Sequence, residues 1–117
     1  MQRVDKPWGY ELIWAKTDRY VGKLLHIRKG GKLSLQYHQR KDETIYLRTG
    51  RLVFVVDEGK GLVEIEMKPG ESRHIPPLTQ HRMIAVTDCE LVEVSTPELD
   101  DVVRLEDSYG RAGTSEP

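Results

Sequence analysis

Hydrophobic and polar positions alternate with a period of two over short stretches of this chain. Residues 62–68 set Val63, Ile65 and Met67 on one side and Glu64 and Glu66 on the other, the pattern of a half-buried strand. Residues 52–56 are apolar at every position, which predicts a strand covered on both faces, by a sheet partner or by a second subunit. Turn signals separate such stretches at Lys29-Gly30-Gly31-Lys32, Thr49-Gly50, Glu58-Gly59-Lys60-Gly61, Pro69-Gly70 and Pro76-Pro77. Helical periodicity is nearly absent. One short helix is expected at Thr96-Pro97-Glu98, with Thr96 as cap, Pro97 in the first turn, and Leu99, Val102 and Val103 on one face. Residues 112–117 are small and polar and read as a flexible tail. Short strands at this spacing, with no internal repeat and no linker, predict one all-β domain, a small antiparallel sandwich or barrel.

Composition narrows the partners. The 117 residues suit a single domain. Lys plus Arg number 18 against 19 for Asp plus Glu, a net charge of −1 that offers no general attraction to nucleic acid or to an anionic membrane. No apolar run approaches the roughly 20 residues needed to span a bilayer. The single cysteine, Cys89, has no internal disulfide partner, so a cytoplasmic location is expected. Cys89 follows Thr87 and Asp88 in an expected turn without a basic cluster to generate a thiolate, and is read as structural.

Two spacings carry candidate chemistry. The first runs Gly30, Gln36, His38, Glu43 and Gly50; the second runs Gly70, Pro76 and His81. Gln36 and His38, two apart, share one face of a strand, and Glu43 re-enters after the polar break Arg40-Lys41-Asp42. Two imidazoles, a carboxylate and an amide oxygen suit one divalent ion, such as Zn, Mn, Fe, Co or Ni. Each residue also has a plainer use: Gln36 in satisfying backbone groups, His38 and His81 as buried hydrogen-bonded histidines, Glu43 as a surface charge. Their joint spacing favours ligation.

With both spacings in view, the chain resembles the cupin superfamily, with Gln36-Tyr37-His38 where the first motif usually has His-x-His. At the second motif, Leu78 and Ala85 stand where the family has Gly and Asn. Leu33-Ser34-Leu35-Gln36-Tyr37-His38 resembles the LSLQ-x-H segment of mannose-6-phosphate isomerases, in particular the isomerase domain of bifunctional mannose-1-phosphate guanylyltransferases. Lys6-Pro7-Trp8-Gly9, Ile75-Pro76, His81-Arg82, Glu93-Val94, Asp100-Asp101-Val102-Val103-Arg104 and Asp107-Ser108-Tyr109-Gly110-Arg111 extend the likeness over residues 6–111. The resemblance implies a cupin jelly-roll barrel (double-stranded β-helix) over residues 1–111, with 112–117 outside it. It further implies a metal held by Gln36, His38, Glu43 and His81, a homodimer, and a sugar or sugar-phosphate ligand. Around the expected ligands the chain reads His38-Gln39-Arg40-Lys41-Asp42-Glu43-Thr44-Ile45, having lost two histidines and an aromatic ring of the family pattern.

The activity this implies is metal-dependent aldose–ketose isomerisation of the mannose-6-phosphate type. On an octahedral ion, four protein ligands leave two positions for neighbouring sugar oxygens. Glu93, Lys23 and His74 are the base candidates for proton transfer between C1 and C2. Each also has an ordinary role, in ion pairs for Glu93 and Lys23 and in a turn for His74. Arg40, Arg82 and Arg111 are the candidates for phosphate, since the guanidinium fork binds it in bidentate fashion. Arg40 and Lys41 read equally well as solvated loop charges. Trp8, Trp14 and Tyr20 are read as core or subunit contacts. Two other functions fit the same residues: a non-catalytic cupin binding a sugar or sugar phosphate, and an iron-dependent cupin oxygenase.

Overall fold

The computed structural model describes residues 1–110 and the strand 113–115. The strands are β1 (Gln2–Lys6), β2 (Gly9–Lys16), β3 (Val21–Ile27), β4 (Leu35–Tyr37), β5 (Glu43–Thr49) and β6 (Leu52–Asp57). They continue with β7 (Leu62–Met67), β8 (Ser72–Ile75), β9 (His81–Ala85), β10 (Cys89–Ser95), β11 (Val102–Glu106) and β12 (Gly113–Ser115). Among the described residues there is no helix, and hence none long and apolar enough to cross a membrane. Within the stretch that composition reads as a tail, β12 pairs with β11.

Two six-stranded antiparallel sheets face each other, in the orders β1-β2-β3-β10-β5-β8 and β12-β11-β4-β9-β6-β7. Each sheet alternates early and late strands because the chain crosses from one to the other after most turns. This is the double Greek key of a jelly roll. The alternation read from the sequence sorts the side chains: Leu52, Phe54 and Val56 of β6 are buried, while Val53 and Val55 on its outer face are half-buried. Full cover on both faces is therefore not provided by the described residues.

Cross-strand register divides the interior into two layers. Leu91 of β10 stands opposite Leu25 of β3 and Leu47 of β5, and these three pack with Ile27, Phe54, Met83 and Ile75 in an apolar lower layer. One pleat further towards the opposite end, the inward positions become Lys23, Glu93 and His81, with Glu43 at the start of β5. The apolar layer supplies the hydrophobic drive of the fold and leaves the polar layer free to be specialised.

The expected helix at Thr96-Pro97-Glu98 does not form. Thr96 donates its N–H to Asp42 O (3.0 Å), and its hydroxyl accepts from Asp42 N–H (3.0 Å). The capping groups of Thr96 are thus spent across to the β4–β5 loop, and Leu99 N–H closes a tight turn on Pro97 O (2.8 Å). Val102 and Val103 instead begin β11.

Candidate metal centre

Gln36 on β4 lies opposite His81 on β9 in the strand register, and His38 follows two residues after Gln36 on the same face. The β4–β5 loop then returns the chain to Glu43 at the first position of β5. His38, Glu43 and His81 converge, one ligand atom from each lying within 4.8 Å of the others, and all three are buried. Glu43 Oε2 is 3.4 Å from His38 Nε2, and Glu43 Oε1 is 3.8 Å from His81 Nε2.

The ring orientations are fixed from behind. His38 Nδ1 lies 2.6 Å from the Asp101 carbonyl, and His81 Nδ1 lies 2.8 Å from the Thr79 carbonyl. A carbonyl only accepts, so each Nδ1 carries a proton, and in the neutral ring Nε2 presents its lone pair inwards. Neither Nε2 has a hydrogen-bond partner among the described residues. Buried acceptors without partners are costly, and two of them beside a carboxylate fit a divalent cation. Burial first, and then the nearby Lys41 charge, holds the His38 pKa below its ordinary value against the opposing pull of Glu43 and the Asp101 bond, which favours the neutral ring that ligation requires. Gln36 lines the same cavity, where its amide oxygen accepts from Ser34 Oγ at 2.8 Å.

Behind the ligands lies a buried charge network. Lys41 Nζ is 3.0 Å from Glu43 Oε2 and 3.1 Å from Glu93 Oε2, and Lys23 Nζ is 3.2 Å from Glu11 Oε1. Burial alone would raise the Glu93 pKa, but Lys41 and then Lys23 outweigh it and hold the carboxyl at about 2. Burial alone would lower the Lys41 pKa; Glu93 and Glu43 outweigh it, and the ammonium is held more firmly than in water. Arg104 of β11 and Trp8 complete the wall of a cavity of about 40 Å³.

The structure thus gathers His38, Glu43, His81, Gln36, Glu93 and Lys23 at one centre. It does not bring His74 or Arg82 there. On β8, Ile75 is inward, so His74 points out and binds Asp42 Oδ1 at 2.6 Å on the surface. On β9, His81 and Met83 are inward, so Arg82 faces away; its guanidinium is engaged by the Leu33 carbonyl (2.8 Å), the Glu106 carboxylate (3.1 Å) and the Glu106 carbonyl (3.2 Å). Arg40 is exposed on the β4–β5 loop, and Arg111 lies outside the described residues. Trp8 is a core residue, whereas Trp14 and Tyr20 are about half exposed. Cys89 is buried at the start of β10, with its thiol pKa pushed up by burial.

Sequence reasoning missed Lys41 and Arg104 as buried cations. For Arg104 period two was the available signal, since it follows the inward Val102 by two on β11; Lys41 lies in the loop ahead of β5, where no such period runs.

The profile of the Cupin domain family matches residues 23–95, and the chain belongs to that family. It is 30% identical to the alginate biosynthesis protein AlgA of Pseudomonas aeruginosa, over 97% of this chain and 24% of that protein. It is 32% identical to a mannose-1-phosphate guanylyltransferase of Escherichia coli, over 94% of this chain and 23% of that one. The chain therefore spans about a quarter of the length of the curated relatives it matches. Among solved structures, KdgF from Halomonas sp. superposes with a TM-score of 0.74 at 21% identity, covering 84% of this chain and 89% of that one. A sugar phosphate isomerase of the cupin superfamily from Silicibacter pomeroyi superposes with a TM-score of 0.67 at 25% identity, covering 81% of this chain and 64% of that one.

Proposed function

We propose that this cupin is a metal-dependent aldose–ketose isomerase acting on a sugar phosphate of the mannose-6-phosphate type. The observation that carries the reading is the buried set of His38, Glu43 and His81, whose two Nε2 lone pairs face one carboxylate. These three would hold one divalent ion, with Gln36 as a fourth ligand. A bound ion supplies Lewis-acid polarisation of the sugar carbonyl. Lys41 contributes a fixed positive charge beside the oxygens where negative charge develops. Of the three base candidates Glu93 lines the cavity beside the Lys41–Glu43 pair; because Lys41 and Lys23 hold its carboxyl at about 2, it can take up the proton between C1 and C2 only when its contact with Lys41 is broken. Lys23 holds Glu11 and its field helps keep Glu93 charged. For the phosphate, Arg104 at the cavity wall is better placed than Arg82, which is spent on Leu33 and Glu106; Arg40 and Arg111 remain candidates from the sequence alone. The half-buried Val53 and Val55 on the outer face of β6 support pairing with a second copy.

A second reading, a metal-containing cupin that binds a sugar phosphate without turning it over, is favoured by one feature. A cavity of about 40 Å³ has room for an ion and a few waters but not for a hexose, so the sugar must be met at the mouth. The deciding experiment is the metal content of the purified protein together with a mannose-6-phosphate to fructose-6-phosphate assay across added divalent ions. Metal-dependent turnover that disappears in His38→Ala supports the isomerase. Stoichiometric metal without turnover on hexose phosphates supports the binding protein, and a protein that takes no metal overturns both.

A further inference from the structure

The β10–β11 loop meets the β4–β5 loop at two residues: Thr96 pairs with Asp42 at the end next to β5, and Asp101 takes the rest. Its carboxylate accepts three consecutive backbone N–H groups, from Gln39 (3.0 Å), Arg40 (2.6 Å) and Lys41 (2.9 Å). Its own carbonyl accepts from His38 Nδ1 at 2.6 Å. A single residue thus binds every position between the ligand His38 and the buried Lys41, two residues ahead of the ligand Glu43. Burial raises the Asp101 pKa, but the N–H groups of Arg40, Lys41 and Gln39 outweigh it, so the anion is preferred. Three converging N–H dipoles form a nest that only a fixed anion fills well.

We propose that Asp101 is the positioning residue of the centre, setting the Nδ1–H tautomer of His38 through its carbonyl and the spacing of His38 and Glu43 through its carboxylate. The tautomer follows because the carbonyl has no proton to give, which leaves Nε2 as the lone pair turned to Glu43. The spacing follows because four loop residues separate His38, just past β4, from Glu43 on the facing sheet. Without an anchor, the loop backbone would sample many conformations and the ligands would be brought together only at an entropic cost. This inference rests on the metal reading for its consequence but not for its geometry, and the two are separable.

The test uses the full chain with Asp101→Ala, Asp101→Asn and, as a surface control, Asp100→Ala. Zn or Co affinity is read by competition with a chromophoric chelator, and the histidine tautomers of the metal-free protein by 15N NMR. Asp101→Ala is expected to lose about 10- to 100-fold in metal affinity, as for groups that orient metal ligands elsewhere. The variant keeps the Asp101 carbonyl but frees it from the carboxylate anchor that holds it against His38, so His38 is expected to shift from a pure Nδ1–H signature to a mixture. Asp101→Asn, which keeps one acceptor oxygen, falls between it and wild type, and Asp100→Ala matches wild type. Should Asp101→Ala fail to fold, Asp101→Asn carries the comparison. Folded Asp101 variants with wild-type affinity and an unchanged His38 signature overturn the proposal. A wild-type protein that takes neither ion overturns the metal reading instead, and the His38 signature then decides the role of Asp101 alone.

Discussion

Lys41 Nζ sits 3.1 Å from Glu93 Oε2 with both side chains buried, and the same ammonium reaches Glu43 at 3.0 Å. One cation therefore bridges two carboxylates that would otherwise repel each other in a dry site. Replacing it, as in Lys41→Met, leaves both carboxylates buried without it. Loss of about 3–5 kcal/mol of unfolding free energy is expected, the range for breaking one side of a buried pair. Urea titration checks it; a loss below 1 kcal/mol would mean that the pair is solvated.

Glu93 makes the fold acid-sensitive in a defined window. Its folded pKa of about 2 lies below the ordinary 4.5, so its stabilisation is complete above pH 4.5 and disappears as pH falls towards 2. The shift corresponds to roughly 3 kcal/mol. Glu93→Gln should flatten the stability profile between those limits, measured by denaturant unfolding at stepped pH. A profile unchanged from wild type would remove Glu93 as its origin.

His81→Ala removes one of the two inward lone pairs while the apolar layer below remains intact. The variant is expected to fold and to bind Zn or Co at least about 100-fold more weakly, close to 3 kcal/mol in binding free energy. Circular dichroism and metal content measured together separate the outcomes: an unfolded variant that keeps its metal contradicts the assignment.

Leu78 adopts a φ of +68° with its side chain two-thirds exposed, at a position where related motifs carry glycine. The left-handed region costs a branched residue about 1–2 kcal/mol, part of which glycine returns as unfolded-state entropy. Leu78→Gly should raise stability by up to about 1 kcal/mol and raise the melting temperature by a few degrees. A lower melting temperature would show that the exposed Leu78 side chain makes a stabilising contact.

Gly9 closes the Lys6-Pro7-Trp8-Gly9 segment where β2 runs against β3. A Cβ there would lie 1.9 Å from the His26 carbonyl oxygen, backbone against backbone. Gly9→Ala is therefore expected to cost more than about 3 kcal/mol, at the diagnostic end of single substitutions. A near-native melting temperature in this variant would require β2 and β3 to separate at that point without loss.

The sequence by itself determined the all-β class, the strand and turn rhythm, and the spacing that brings Gln36, His38, Glu43 and His81 together. These depend on local chemistry: side chains alternate along a strand, and glycine and proline mark the turns. The same alternation also held the outward placement of His74 and Arg82, neighbours of the inward Ile75 and His81, although their polar character alone suggested a site role. Tertiary structure alone decided the rest. Whether Thr96 caps a helix or binds Asp42 depends on a loop more than fifty residues away, and so does the burial of Lys41 between two carboxylates. The orientation of His38 likewise depends on the Asp101 carbonyl, sixty-three residues distant. Such pairings depend on which loops the jelly roll gathers at one end, and that proximity is a property of topology with no local signal in the chain.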